Sequence, residues 1–100
     1  MAYDNTTTNS APLAAPLDQL GFTSRHGDGR INLWSPAAVG GDYEAQCRAG
    51  REFAAEAIEH IRDSGNVPAL AGIARAIAES GTFGGVEVGF FTAVSEQLAR

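Results

Sequence analysis

The chain has 100 residues, a formal net charge of -5 and an apolar fraction of 44%. That length allows one domain with a modest core, and that apolar fraction argues against wholesale disorder. All seven basic residues are arginines and they form no cluster. The composition therefore argues against a nucleic-acid-binding protein, which normally carries a concentrated basic patch.

Cys47 is the single cysteine, so an intrachain disulfide is excluded and a reducing compartment is favoured. The first residues lack the basic and apolar regions of a signal peptide. The longest apolar stretch, around residues 67–74, is much shorter than the roughly 20 residues that cross a bilayer. We therefore expect a soluble cytoplasmic protein.

The first third of the chain predicts little regular structure. Residues 4–16 are rich in Thr, Asn, Ala and Pro, which predicts a flexible arm over residues 1–15 and a single helical domain over 16–100. Residues 22–25 and 30–34 are β-prone and flank an Asp-Gly turn, so they form either a short β-hairpin or an irregular extended segment. Ser35 and Pro36 then predict a short helical turn over 35–38.

Two helices follow with clear boundary signals. Helix one is predicted from Asp42, an N-cap, to about Ser64, because Gly65 supplies a left-handed end. Its apolar stripe contains small residues, including Gly50, which would let another helix approach closely. Helix two is predicted from Pro68 up to Gly81, and its short link to helix one predicts a helical hairpin.

Helix three is predicted from about Gly84 to Ala99, although residues 86–91 also fit a strand. Apolar residues recur there at helical spacing, and Glu87 lies where a capping-box carboxylate would accept from Gly84 N–H. Gly89 permits close packing. The fold class is therefore mainly α: a three-helix small domain with a flexible N-terminal arm and the optional hairpin before the helices.

The apolar arc of helix three is wider than one partner helix needs, because Val88 and Phe91 extend it. A second surface should cover the excess, so we predict a protein–protein interface there. Apolar residues of the 31–34 segment would add to it, since aromatic anchors dominate such interfaces. The predicted protein-binding residues are Ile31, Leu33, Trp34, Phe83, Val88, Phe90, Phe91 and Leu98.

The residues capable of chemistry are dispersed. His26 and Asp28 fit a turn better than an acid–base pair. Cys47 and His60 lie about 20 Å apart along helix one and on different faces, so they cannot share a metal within it. We therefore predict no catalytic residue, metal or cofactor, and keep a small enzyme or metal module built on these four residues as the third hypothesis.

The second hypothesis is a phage-type inhibitor that mimics nucleic acid through an acidic surface. Helix one carries Glu52, Glu56 and Glu59 opposite its apolar stripe. That array is sparser than a row of phosphates, and a solvated helix face with Arg–Glu pairs is the more usual explanation of such a pattern.

Three glycine-containing stretches carry a resemblance to a known protein family, and this resemblance gives the leading hypothesis. They are Gly50–Arg51 with Ala54–Ala55, residues 65–70, and residues 81–91. This pattern resembles a family of small proteobacterial helical proteins, the QslA-like quorum-sensing antiactivators, over roughly Trp34 to Leu98. The resemblance implies a non-enzymatic homodimer that binds a LuxR-type (LasR-like) transcription factor, blocks its dimerisation and thereby prevents DNA binding.

Overall fold

The computed structural model describes residues 15–100, which form three helices preceded by a short β-hairpin. A single 3-10 turn (Leu17–Gln19) leads into strands β1 (Ser24–Arg25) and β2 (Ile31–Asn32). The helices are α1 (Tyr43–Ser64), α2 (Ala69–Ser80) and α3 (Gly85–Leu98). The mainly helical prediction and the hairpin are both confirmed. The predicted arm, residues 1–15, lies outside the described residues except for Ala15.

Local signals set the ends of the helices. Asp42 accepts a hydrogen bond from Ala45 N at the start of α1, at 2.9 Å. Gly65 and Gly81 end α1 and α2 with φ of 73° and 74°, a left-handed conformation that glycine adopts without steric cost. These three boundaries match the sequence-based prediction because each depends on neighbouring residues only.

The two strands pair in antiparallel register, with Ser24 opposite Asn32. Gly29, at φ 91°, allows the connecting turn to close. Ser35 continues the hairpin, since its N–H donates to the Phe22 carbonyl oxygen and its hydroxyl to Ser24 Oγ. The predicted helical turn over residues 35–38 is therefore wrong: Ser35 is bonded to the extended segment and does not cap a helix.

α1 packs much more extensively against α3 than against α2. The predicted hairpin of α1 and α2 is therefore not the main helix pair. The close approach predicted at Gly50 does occur: a Cβ there would overlap the Val86 carbonyl oxygen. Gly89 is the reciprocal position on α3, where a Cβ would overlap the carbonyl oxygen of Cys47. Glycine at both positions lets the two helix backbones touch.

The core lies where the hairpin segment meets all three helices. An aromatic cluster joins Phe22 and Trp34 of that segment to Phe53 of α1 and Phe90 of α3, with ring centroids 5.2–6.2 Å apart. Phe22 and Phe90 are both fully buried. The aliphatic remainder of the core comes from Leu20, Ala54, Ala57, Ile73, Ile77 and Val94. The hairpin is therefore stabilised by packing on the helices, as a two-stranded sheet requires.

Candidate functional site

The candidate site is a shallow apolar groove along the side of α3 that faces away from the core, here called the outer face of α3. Its volume is about 510 Å³. Phe83, Val88, Phe91, Thr92, Ser95, Glu96 and Ala99 line it. Its lining is mainly apolar carbon with small hydroxyls, and it contains one charged side chain. Such a surface suits contact with another polypeptide more than catalysis.

Glu87 fixes the start of α3 and so positions this face. One oxygen of its carboxylate accepts from Gly84 N–H at 2.7 Å, which is the glutamate half of a capping box, as predicted; Gly84 has no side chain to supply the other half. The other oxygen accepts from Trp34 Nε1–H at 2.9 Å, and Glu87 is only 5% exposed. Sequence reasoning missed this second bond. The one available signal was that a buried indole N–H needs an acceptor.

Stacked aromatic rings hold the groove in shape. Phe83 stacks on Phe91 with a centroid separation of 5.8 Å and an interplanar angle of 9°. Phe91 in turn meets the buried Phe90 edge-on at 5.4 Å. Phe83 nonetheless remains 63% exposed. A large apolar ring is thus presented to solvent on one side while it stacks on Phe91 on the other.

An ion pair borders the groove on the side of α1. Arg51 donates to Glu96 at 2.6 Å, and each side chain is about half exposed. Exposed pairs of this kind contribute at most about 1 kcal/mol. Its main consequence is electrostatic: the Arg51 guanidinium neutralises the charge of Glu96 beside the apolar groove.

The predicted interface residues divide into two groups. Phe83, Val88 and Phe91 line the outer face of α3. Leu98, 79% exposed, lies seven residues after Phe91 and therefore on the same side of the helix. Phe83, Val88 and Phe91 therefore line one groove, and Leu98 lies on the same side of α3 without being one of the residues that line it.

Trp34 and Phe90 belong instead to the core. Trp34 is 5% exposed and Phe90 is fully buried, so neither can touch a partner of the folded chain. We therefore remove both from the predicted contact set. Phe90 recurs at the helical spacing of the other apolar residues of α3, and that spacing is the same for a core position and for a surface position. In the structure, the rings of the hairpin segment cover Phe90.

Ile31 and Leu33 lie elsewhere as well. Both line a separate cleft between β2 and α2, together with residues of α2, and neither lines the outer face of α3. The structure thus separates two apolar surfaces that the sequence-based prediction treated as one.

The residues of the third hypothesis are not brought together. His26 and Asp28 lie exposed in the hairpin turn. Asp28 accepts from the Arg30 N–H at 3.0 Å and from the Arg30 side chain at 2.7 Å, and these bonds lower the pKa of Asp28. Within residues 15–100, no group of three His, Cys, Asp or Glu side chains is arranged to hold a metal ion.

Cys47 and His60 have local structural partners. The interaction of the Tyr43 hydroxyl with the neighbouring Cys47 side chain raises the pKa of Tyr43. His60 is 7% exposed, with Nδ1 3.1 Å from the Ala15 carbonyl oxygen and Nε2 3.4 Å from Asn66 Nδ2. The imidazole therefore links the end of α1 to the segment preceding the 3-10 turn.

The acidic side of α1 is partly used inside the fold. Glu56 accepts a hydrogen bond from the Gly21 N–H at 2.7 Å, while Glu52 and Glu59 are exposed. A carboxylate that anchors the backbone cannot at the same time present its charge freely to a partner. This weakens the resemblance of the helix face to a phosphate array.

No family model, curated protein or solved structure matches this chain. Among residues 15–100, no helix combines the length and apolar character needed to cross a membrane.

Proposed function

We propose that this protein is a non-enzymatic regulatory protein that binds another polypeptide through the outer face of α3. The single observation that carries the proposal is the aromatic pair at that face. Phe83 is held by stacking on Phe91 and yet remains 63% exposed. An exposed apolar ring costs free energy in water, and its burial by a partner would recover about 25 cal/mol per Å² of apolar surface.

The partner class we propose is a LuxR-type transcription factor, sequestered so that it cannot dimerise on DNA. This step depends on the sequence resemblance to QslA-like antiactivators. The chemistry of the groove supports it, because a dimer interface that is occluded by an inhibitor is itself an apolar protein surface. A net charge of -5 also agrees with a mechanism in which the inhibitor contacts the factor and not the DNA. We further propose that the protein acts as a homodimer in the cytoplasm.

Phe83→Ser and Leu98→Ser are the appropriate variants, because both side chains are largely exposed and neither belongs to the core. Val67→Ser is the matched control. Val67 is 71% exposed but lies at the link between α1 and α2. All three variants should retain the wild-type circular dichroism spectrum, and Phe83→Ser should lose only about 1 kcal/mol of stability with its stacking contact on Phe91.

The functional assay is release of a purified LuxR-type factor from its DNA operator, with increasing amounts of this protein. We expect wild type and Val67→Ser to release the factor, and Phe83→Ser to need at least about tenfold more protein, as loss of an aromatic anchor implies. Equal potency of Phe83→Ser, Leu98→Ser and wild type would refute the α3 surface. No release by wild type would refute the LuxR-type partner.

The mimicry hypothesis makes a different prediction in the same assay. Joint replacement of Glu52 and Glu59 by Gln would abolish activity, and the effect of wild type would fall steeply with salt. We favour the α3 surface because Glu56, the remaining glutamate of that face, is bonded to Gly21.

A further inference from the structure

The outer face of α3 has a row of positions with the spacing of a helix-pairing seam. Val88, Phe91, Ser95 and Leu98 follow one another at intervals of three, four and three residues. The first three line the groove, and Leu98, 79% exposed, continues the row beyond it. The alternation of three and four is the one by which two helices pair along their length. Since α3 already buries its opposite side through Phe90, this row, here called the α3 seam, is a second pairing surface on the same helix.

The groove on this face results from a step in side-chain size. The rings of Phe83 and Phe91 form the half of it nearer the start of α3. Thr92, Ser95 and Ala99, which are all small, form the other half. The small residues leave space beside the two rings, so the groove accepts a bulky apolar side chain at its small half.

The same groove is where two copies of this acidic chain would repel each other least. Each copy has a net charge of -5. Of the residues that line the groove only Glu96 is charged, and Arg51 donates to it at 2.6 Å. The exposed side of α1, by contrast, presents Glu52 and Glu59. Like-charged molecules associate most readily through surfaces that add no net charge to the contact.

A second copy of α3, running antiparallel, supplies the side chain that the groove accepts. With a two-fold axis near residue 93, Phe91 of each copy lies against Ser95 of the other, and Val88 lies against Leu98. Each contact occurs twice because the pair is symmetric. A parallel pair would set Phe91 against Phe91 and Ser95 against Ser95, which crowds one layer and leaves a gap in the next. It would also align the two helix dipoles, whereas an antiparallel pair opposes them.

We infer that two copies of this chain pair through the α3 seam as antiparallel helices, and that this pairing competes with the binding of the transcription factor. Only the competition rests on the function proposed above, because both partners then need the same groove. The homodimer acts as a reservoir, and each copy offers its groove to the factor as the other copy leaves.

The extent of the seam sets the strength of the pairing. α3 has 14 residues and is therefore about 21 Å long. One helix pair of this length lies at the low end of specific interfaces, with roughly 1,200 Å² buried or less. We expect a dissociation constant on the order of micromolar, which lets a partner displace the second copy.

Sedimentation equilibrium of the full chain tests the pairing. Wild type should pass reversibly from monomer to dimer between about 1 and 100 µM. Leu98→Glu places a charge against Val88 of the other copy and should weaken association at least about tenfold. Val67→Glu is the matched control, because it adds the same charge at a position that is 71% exposed and lies outside α3. A wild type that stays monomeric, or equal association of the two variants, would overturn the inference.

Disulfide trapping tests the direction of the helices. Val88→Cys and Leu98→Cys are each made in a Cys47→Ser background, which removes the native thiol. An oxidised mixture of the two should give a covalent dimer, and each variant alone should give little. In the antiparallel pair the two Leu98 positions lie about 15 Å apart along the helix axis, and a disulfide spans at most about 7 Å between Cα atoms. Covalent dimers from each variant alone, with none between the two variants, would show parallel helices and contradict the proposed pairing.

The trapped dimer then tests the competition in the operator-release assay. We expect the oxidised dimer to require at least about tenfold more protein than the same sample after reduction. Equal release before and after reduction would mean that the factor does not need the paired face, and the competition would be wrong. If wild type releases no factor, the proposed partner is refuted, whereas the pairing of α3 is still decided by sedimentation and trapping.

Discussion

The contact between α1 and α3 predicts that one added methyl group will be costly. In Gly89→Ala, the new Cβ would overlap the Cys47 carbonyl oxygen and lie 2.8 Å from Cys47 Cα. These are backbone atoms of the facing helix, and they cannot rotate away as a side chain can. The two helices must therefore separate, or α3 must shift along α1.

The magnitude follows from two opposing effects. Alanine is about 1 kcal/mol more favourable than glycine inside a helix. Separating the helices by roughly 0.5–1 Å would remove a quarter to a half of the dispersion attraction across their contact, which is the most extensive between elements of this fold. Overpacking of this kind costs about 1–3 kcal/mol and occasionally more. We expect Gly89→Ala to destabilise the protein by about 2 kcal/mol despite its better helix propensity.

Gly72→Ala is the matched control, because Gly72 also lies inside a helix but faces only the end of the flexible Leu33 side chain. Its stability should stay within about 1 kcal/mol of wild type. The measurement is urea unfolding followed by circular dichroism, comparing midpoints at constant slope. If Gly89→Ala is as stable as Gly72→Ala, the close helix contact is not as described and the argument fails.

Three further predictions concern individual hydrogen bonds. Trp34→Phe removes the donor to Glu87, so the buried carboxylate loses one of its two partners, and thermal unfolding should show a loss of about 1–3 kcal/mol; unchanged stability would mean that the bond is replaced by water. Asp42→Ala removes the cap of α1 and should cost about 1 kcal/mol in the same assay, whereas Asp42→Asn should cost much less. The side-chain hydrogen bond from Arg25 lowers the pKa of Asp18 below its ordinary value of 3.8. The pair therefore stabilises the fold fully at pH values above 3.8, and this stabilisation is lost as the pH falls through the lowered pKa. Arg25→Gln should return the pKa of Asp18 toward its ordinary value in an NMR titration, and an unmoved pKa would contradict this cause.

The helix boundaries could be predicted because their causes are local. A cap such as Asp42 bonds to an amide three residues later, and a terminal glycine needs only its own backbone freedom. Glu87 and Gly84 also lie three residues apart. In each case the groups that interact are already neighbours in the sequence.

The candidate surface could be predicted only in part. The sequence places Phe83 and Phe91 eight residues apart, and the structure stacks their rings across the start of α3, where both line the same groove. Phe90 was assigned to the same surface, but the rings of Phe22 and Trp34 cover it. Those contacts join residues more than fifty positions apart, and helical spacing carries no information about them.

The amino-acid sequence alone determined three helices, their ends and an excess of apolar side chains on the last one, because each of these depends on residues within a few positions of one another. The tertiary structure alone decided that α1 pairs with α3 and that a cleft separates the hairpin from α2. It also decided which aromatic rings are buried. The physical reason is that burial and helix pairing depend on which distant segments fit together without overlap, as Gly50 and Gly89 show where two backbones meet.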